Sequence, residues 1–145
     1  MDNKRPTVMM AVGRTRQAWD RYNRAVALRM GVPESYTKII MFLARRPGEN
    51  QKAVAEFVGV TTAAVNQTVK EMVRAGYVEK RTDETDRRYS RLYLTARGTE
   101  TAEGLRAALR RADAVITAAI TPEKETEMVD LLDRIFRCIR EELPL

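Results

Sequence analysis

The sequence contains no histidine and only one cysteine, Cys138. Without histidine the chain lacks the most common general base, Ser-His and Cys-His nucleophilic pairs, and His-rich zinc sites. A single cysteine cannot form a disulfide within the chain, which is typical of a reducing compartment. We therefore expect a protein that is not an enzyme and has neither a metal site nor another cofactor.

Long hydrophobic runs are also missing. No stretch approaches the roughly 18 apolar residues of a membrane span, and no apolar segment follows a basic start as in a secretory signal. We therefore expect a cytoplasmic protein with no membrane partner. The 145 residues, 44% of them apolar, are enough for a core, and they predict a single domain, 1–145.

The positive charge is unevenly distributed along the chain. Residues 1–30 carry a net charge of +5, residues 61–98 carry +3, and residues 121–145 carry −3, within a total of +6. A basic surface with an acidic terminal segment favours a polyanion as partner, and nucleic acid is the common soluble one. A generally basic soluble protein is the alternative at this stage.

Apolar periodicity and capping residues predict six helices and two strands, hence an α+β, mostly α fold. A tight turn joins the third and fourth helices: Gly59 suits a left-handed backbone, and Thr61 is the next N-cap. Two strands then flank a charged loop of residues 82–88, and Thr95 and Thr121 begin two terminal helices with coiled-coil-like seams. The predicted elements are a helix from Val8 that closes at Gly31, a helix around 36–43, the helices 51–58 and 61–75, the strands 77–81 and 89–94, and two helices after Thr95 and Thr121.

The second strand and its surroundings carry the most specific motif. Asp86-x-Arg88 is followed, after five residues, by Leu94-Thr95-x-x-Gly98. This pattern resembles the D-x-R-x5-L-T-x-x-G wing signature of the multiple-antibiotic-resistance regulator (MarR) family, and the order of elements resembles that family over nearly the whole chain. The resemblance implies a winged helix-turn-helix whose long N- and C-terminal helices form a dimerisation region.

The exposed face of the fourth helix is the candidate reader of the major groove. Amide side chains there can pair with adenine edges, small methyl-bearing residues can touch thymine methyls, and a lysine can reach a phosphate or guanine. A solvated polar helix face without such a role is the alternative. The predicted DNA-binding residues of this helix are Thr61, Thr62, Ala63, Asn66, Gln67 and Lys70.

Arginines and an aspartate of the loop form the second predicted site. The resemblance assigns Arg88 to the minor groove, where a narrow groove concentrates negative potential. The resemblance also implies that Asp86 pairs with an arginine and that this pair fixes the shape of the loop, since a carboxylate matches a guanidinium fork. Arg87 and Arg91 are weaker candidates for phosphate contacts. A merely solvated hairpin is the alternative.

The terminal helices are predicted to make a homodimer. The resemblance places the dimerisation region at 1–30 and 99–145 and the DNA-binding lobe at 31–98. Twofold symmetry would match two half-sites about 10 base pairs apart in a pseudo-palindromic operator. An intrachain helical core built by the same apolar seams is the alternative.

Relatives in this family often release DNA when a small aromatic or anionic ligand binds. Trp19, Tyr22, Met30 and Tyr36 are candidates for an apolar ligand cleft, with ordinary core packing as the alternative. Cys138 is predicted to be a buried structural thiol. The expected function is therefore a double-stranded-DNA-binding transcriptional repressor; the alternative is a dimeric winged-helix module that binds proteins instead of DNA.

Overall fold

The computed structural model describes residues 6–83 and 90–142. It confirms an α+β, mostly α architecture of six helices and one two-stranded sheet within these residues, and each boundary lies within a few residues of its prediction. The elements are α1 (Val8–Arg29), α2 (Glu34–Leu43), α3 (Gln51–Val58), α4 (Thr62–Arg74), β1 (Val78–Thr82), β2 (Ser90–Leu94), α5 (Ala96–Ala119) and α6 (Pro122–Glu142).

Contacts within the chain define two compact units, residues 1–106 and residues 107–145. The first unit holds α1 to α4, the sheet and the beginning of α5; the second holds the rest of α5 and α6. The functional division predicted above, with boundaries after residues 30 and 98, concerns dimerisation and DNA binding, and it stays a prediction.

The hydrophobic core of the first unit lies between α2, α3, α4 and the sheet. Apolar residues that recur at helical spacing are fully buried, as expected for amphipathic helices packed around one centre. Val73, in the last turn of α4, is exposed, whereas Met72 beside it is buried. The largest fully buried side chains are Ile39, Ile40, Leu43, Val54, Val65, Val69, Met72, Val78 and Leu92.

The turn between α3 and α4 is built by local capping, as the sequence predicts. Asn50 caps α3 by accepting a hydrogen bond from the backbone N–H of Ala53 at 2.9 Å. Gly59 ends α3 with φ of 77°, a left-handed conformation that glycine adopts at little cost. Thr61 then accepts from the N–H of Ala64 at 3.2 Å and starts α4. The direction in which α4 leaves α3 is therefore set by these short-range contacts.

The sheet is an antiparallel hairpin with a short addition. Val78 pairs with Leu94 and Thr82 with Ser90, so five residues of each strand face one another. Glu49, which follows α2, forms an isolated bridge to Leu92: Leu92 donates its N–H to the Glu49 carbonyl at 3.0 Å. The segment after α2 is thereby attached to the second strand, a contact between residues 43 positions apart.

The second unit contains little buried surface of its own. Thr121 caps α6, but no residue of α6 is buried. Met128, Leu131 and Leu132 are 45–46% exposed, so the predicted apolar seam of α6 faces outward in the single chain. The prediction that Cys138 is buried is wrong: the thiol is exposed, because α6 buries none of its faces within the chain.

Candidate nucleic-acid interface

α4 presents a polar face opposite its buried one. Val65, Val69 and Met72 are buried and fix the helix on the core, while Thr62 and Lys70 are exposed. The buried and exposed residues alternate with helical periodicity, so one face is free to enter a groove. Of the predicted DNA-binding residues of this helix, Thr61, Thr62, Ala63, Gln67 and Lys70 are exposed and Asn66 is half-buried.

Asn66 is oriented by a residue that the sequence analysis did not identify. The Nε2 amide of Gln51, in the first turn of α3, donates a hydrogen bond to Oδ1 of Asn66 at 3.5 Å. In this arrangement the Oδ1 end of the Asn66 amide faces α3 and its Nδ2 donors point elsewhere. No local pattern indicates this pair, because the two residues are 15 positions apart and on different helices.

Gln67 is oriented within α4 itself. Its Nε2 donates a hydrogen bond to Oε1 of Glu71 at 2.9 Å, one helical turn later. Since an ionised carboxylate only accepts hydrogen bonds, the amide nitrogen must face Glu71 and the amide oxygen must point away. The i, i+4 spacing of Gln67 and Glu71 is the signal from which the sequence could have predicted this contact.

The base of the wing is held by a carboxylate other than the predicted one. Nε of Arg91 donates to Oδ2 of Asp83 at 2.5 Å, and Nη1 of the same arginine donates to the carbonyl of Gly48 at 3.2 Å. Asp83 is buried, so the pair ties β2 to the end of β1 and to the segment after α2. This is the kind of role that the resemblance assigns to Asp86.

Three of the predicted wing residues, Asp86, Arg87 and Arg88, lie outside the described residues. Arg91, predicted as a phosphate contact, is described, and its guanidinium already binds Asp83 and the Gly48 carbonyl. Its role toward a phosphate stays a prediction, as do the roles of the other three.

The four candidate ligand residues fall into separate contacts. Trp19 and Tyr22 stack on each other along α1, with ring centroids 5.7 Å apart. Tyr36 is buried and meets Tyr77 edge to face at 5.6 Å. Burial raises the pKa of the Tyr36 hydroxyl above its ordinary value, and Glu71 and then Tyr77 add to the rise. Met30 is half-buried at the end of α1.

A cavity of about 410 Å³ lies at a different place, between α2 and the turn that leads into α4. Its walls combine apolar groups with a lysine, a glutamate and two hydroxyls, and residues of α4 form one side. The four predicted ligand residues are not among those that line it, which are Glu34, Ser35, Lys38, Ile39, Val58, Val60, Ala64, Val65 and Thr68.

These features can be set beside known proteins. A family model described as the MarR family matches residues 30–88, from the end of α1 into the wing. The match covers less than half of the chain. The resemblance to the MarR family drawn from the sequence is thereby confirmed as a resemblance. Within the described parts of the chain, no helix is both long and apolar enough to cross a membrane.

Two proteins named as a transcriptional regulator and a transcriptional repressor align with most of this chain. The HTH-type transcriptional regulator BilQ of Clostridium symbiosum is 22% identical over 105 residues, 72% of this chain and 73% of BilQ. An HTH-type transcriptional repressor of Mycobacterium tuberculosis is 28% identical over 96 residues, 66% of this chain and 69% of the repressor. Both are named as transcriptional regulators and neither as an enzyme, in agreement with the function expected from the sequence.

Solved structures confirm the winged-helix fold. A MarR protein from Peptoclostridium difficile superposes with a TM-score of 0.81 at 19% identity, covering 98% of this chain and 93% of that one. FabT of Streptococcus pneumoniae, solved in complex with DNA, gives a TM-score of 0.68 at 20% identity, covering 74% and 75%. A MarR family protein of Mycobacterium tuberculosis, solved with salicylic acid, gives 0.69 at 23% identity, covering 91% and 98%.

Proposed function

We propose that this chain is a homodimeric repressor of the MarR family that binds a pseudo-palindromic double-stranded operator and releases it when a small aromatic or anionic ligand binds. The observation that carries the proposal is the polar, exposed face of α4, mounted on a buried apolar face and followed directly by a hairpin. FabT, which shares the fold, is solved in complex with DNA, and two relatives are named as regulator and repressor.

The chemistry of α4 suits base recognition. Asn66 and Gln67 have amides that can pair with an adenine edge through one acceptor and one donor. Gln51 and Glu71 orient these two amides before DNA arrives, which lowers the entropy lost on binding. The small side chains of Thr62 and Ala63 allow the helix to approach the bases closely, and they can contact thymine methyl groups.

The hairpin supplies the second part of the interface. By resemblance, Arg88 enters the minor groove and Arg87 and Arg91 lie near phosphates, with Asp86 supporting the loop. Residues 61–98 carry a net charge of +3, which favours this part of the chain near the phosphate backbone. Binding to DNA is therefore expected to weaken as salt concentration rises.

A second copy of the chain is the proposed partner of the terminal helices. Val8, at the start of α1, is 60% exposed, Ile116 of α5 is 49% exposed, and α6 has no buried residue. Apolar seams of this kind, uncovered within one chain, are typical of surfaces that pack on another protein. The proposed dimerisation region is 1–30 and 99–145, and the lobe 31–98 would bind one half-site.

The proposed effector is a small aromatic or anionic molecule. The cavity beside α4 combines apolar walls with the ammonium group of Lys38, while the Glu34 carboxylate of the same wall is paired with Arg24; this combination suits an aromatic anion. A ligand there would contact the helix that reads DNA, so binding could shift the balance between DNA-competent and DNA-free states. A relative of the same fold is solved with salicylic acid.

DNA binding by purified protein tests the proposal. A duplex recovered from random sequence by repeated selection is compared with a scrambled duplex of the same length, by fluorescence anisotropy over a range of salt concentrations. Tight, salt-sensitive binding to the selected duplex is expected, with one dimer per duplex by light scattering. A monomer, or no binding at low salt, would contradict the proposal and favour the protein-interaction alternative.

Single substitutions then locate the interface. Asn66→Ala should weaken binding to the selected duplex by roughly tenfold or more and hardly change binding to the scrambled one. Lys70→Ala should weaken both and lower the slope of log K against log salt by about 1. Lys124→Ala, on α6 and outside the proposed DNA-binding lobe 31–98, removes the same charge and is the matched control. Equal effects of Lys70→Ala and Lys124→Ala would exclude α4 from the interface.

A further inference from the structure

The first residues of α5 contact the segment that follows α4, the candidate DNA-recognition helix. The N–H of Thr95 donates to the Tyr77 carbonyl at 3.1 Å, and its hydroxyl donates to the Gly76 carbonyl at 2.6 Å. A Cβ on Gly98 would overlap the Tyr77 carbonyl oxygen, so only glycine allows this approach. The Leu94-Thr95-x-x-Gly98 part of the wing motif therefore has a physical purpose: it packs the start of α5 against the segment that follows α4.

Arg97, between these motif residues, makes the contact with α4 itself. Its Nη1 donates to the carbonyl of Ala75 at 2.7 Å, and Ala75 is the C-cap of α4. Carbonyls at a helix C-terminus lack partners within the helix and carry partial negative charge, so a guanidinium both satisfies and neutralises them. The arginine thereby closes the end of the helix that reads DNA.

The same guanidinium also holds an aromatic ring. Nη2 of Arg97 donates to the Tyr77 hydroxyl at 3.1 Å, and its central carbon lies 4.3 Å from the centroid of the Tyr77 ring. Tyr77 is buried and meets Tyr36 of α2 edge to face. One side chain therefore links the first turn of α5, the end of α4 and, through two rings, α2. Lysine has no planar fork and cannot make all of these contacts at once.

We propose that Arg97 is a positioning residue for DNA recognition: it fixes the C-terminal end of α4 and thereby the angle at which α4 enters the groove. The N-terminal end of α4 is already fixed by Thr61, and its middle by buried side chains. Under this proposal Arg97 acts through α4 and not by touching DNA, because its contacts with Ala75 and Tyr77 hold the guanidinium against the protein. The functional half of this inference rests on the proposed DNA binding.

The experiment compares wild type, Arg97→Met, Arg97→Lys and Arg111→Met. Arg111 is an exposed arginine of the same helix and controls for the lost charge. Affinity for the selected and the scrambled duplex is measured by anisotropy over a range of salt concentrations. Hydrogen exchange of peptides from residues 70–77 is measured by mass spectrometry without DNA. This measurement tests whether Arg97 fixes the C-terminal end of α4, even if the protein binds no DNA.

Arg97→Met should bind the selected duplex roughly tenfold more weakly than Arg111→Met, because a charged hydrogen bond and a cation–π contact are lost. Binding of Arg97→Met to the scrambled duplex and the slope of its affinity against salt should equal those of Arg111→Met. The affinity of Arg97→Lys for the selected duplex should lie between those of wild type and Arg97→Met. The 70–77 peptides of Arg97→Met should exchange faster than those of wild type. If the salt slope fell more in Arg97→Met than in Arg111→Met, and the affinity for both duplexes fell equally, Arg97 would contact a phosphate directly. That result would overturn the proposal. Unchanged exchange and unchanged affinity would overturn it as well. Failure of wild type to bind any duplex, with faster exchange in Arg97→Met, would refute the proposed function and the positioning role but uphold the structural contact.

Discussion

Replacing Gly98 with alanine tests the packing of α5 against the end of α4. In an open helical position this change stabilises by about 1 kcal/mol, because alanine is the better helix former. At Gly98 the new Cβ would overlap the backbone oxygen of Tyr77, and two atoms of the Leu94 side chain would lie at 3.1 and 3.2 Å. Backbone cannot move aside as a side chain can, so α5 must shift.

The destabilisation caused by shifting α5 should exceed the stabilisation from the higher helix propensity of alanine. Overpacking of this kind costs about 1–3 kcal/mol, and loss of the Thr95 to Tyr77 hydrogen bond about 1 kcal/mol more. We expect Gly98→Ala to lower the free energy of unfolding by about 2 kcal/mol and the Tm by roughly 4–8 °C. Urea and thermal unfolding, at one protein concentration because of the expected dimer, give both values.

Gly104→Ala is the matched control in the same helix. Its Cβ would meet only the terminal methyl of Met30, which is flexible and can rotate away. This variant should be as stable as wild type or up to about 1 kcal/mol more stable. If Gly98→Ala proved as stable as Gly104→Ala, the close approach of α5 to Tyr77 would be refuted.

Three further changes test other parts of the first unit. Gly59→Ala should lower the free energy of unfolding by about 1 kcal/mol in urea, because φ is 77° there; no loss would contradict the left-handed turn. Asp83→Asn should lower the free energy of unfolding by about 1 kcal/mol, because it removes the charge that pairs with Arg91. Asp20→Asn, in an exposed helical pair with Arg16, is the control and should change it by under about 0.5 kcal/mol. Equal effects of the two substitutions would contradict the role given to Asp83. The raised pKa of Tyr36, caused first by burial, favours the protonated hydroxyl in the folded state, so the contribution of Tyr36 to stability should be constant below pH 10 and fall above it. Above pH 10 the stability of Tyr36→Phe should fall less than that of wild type. Identical stability profiles of the two proteins at alkaline pH would refute the raised pKa of Tyr36.

The fold was predictable from the sequence where local rules set it. Thr61 and Thr95 cap the helices that follow them, and Gly59 adopts the left-handed turn, because these contacts span only three or four residues. The bridge between Glu49 and Leu92 was not predictable, since it joins residues 43 positions apart and one pair carries no periodic signal. Local chemistry therefore gives the elements, and tertiary contacts give their connections.

The candidate site divides in the same way. The exposed residues of α4 follow from helical periodicity once Val65, Val69 and Met72 are taken as the buried face. The partners that orient its amides were missed: Gln51 lies on another helix, and Glu71 was not considered despite its i, i+4 spacing. The error about Cys138 arises because apolar patterning predicts a buried seam without saying which chain covers it.

Counting basic residues overstates the groups available to DNA in this lobe. Arg81 binds Glu79 and lies over the Tyr93 ring, and Arg91 binds Asp83. Arg97 donates to the carbonyl that follows α4. Three arginines therefore stabilise the lobe through a carboxylate, a carbonyl or a ring, so their positive charge is partly neutralised by the protein. It follows that the net charge of residues 61–98 indicates a polyanion as partner, whereas the residues that meet it must be identified from the geometry of each side chain.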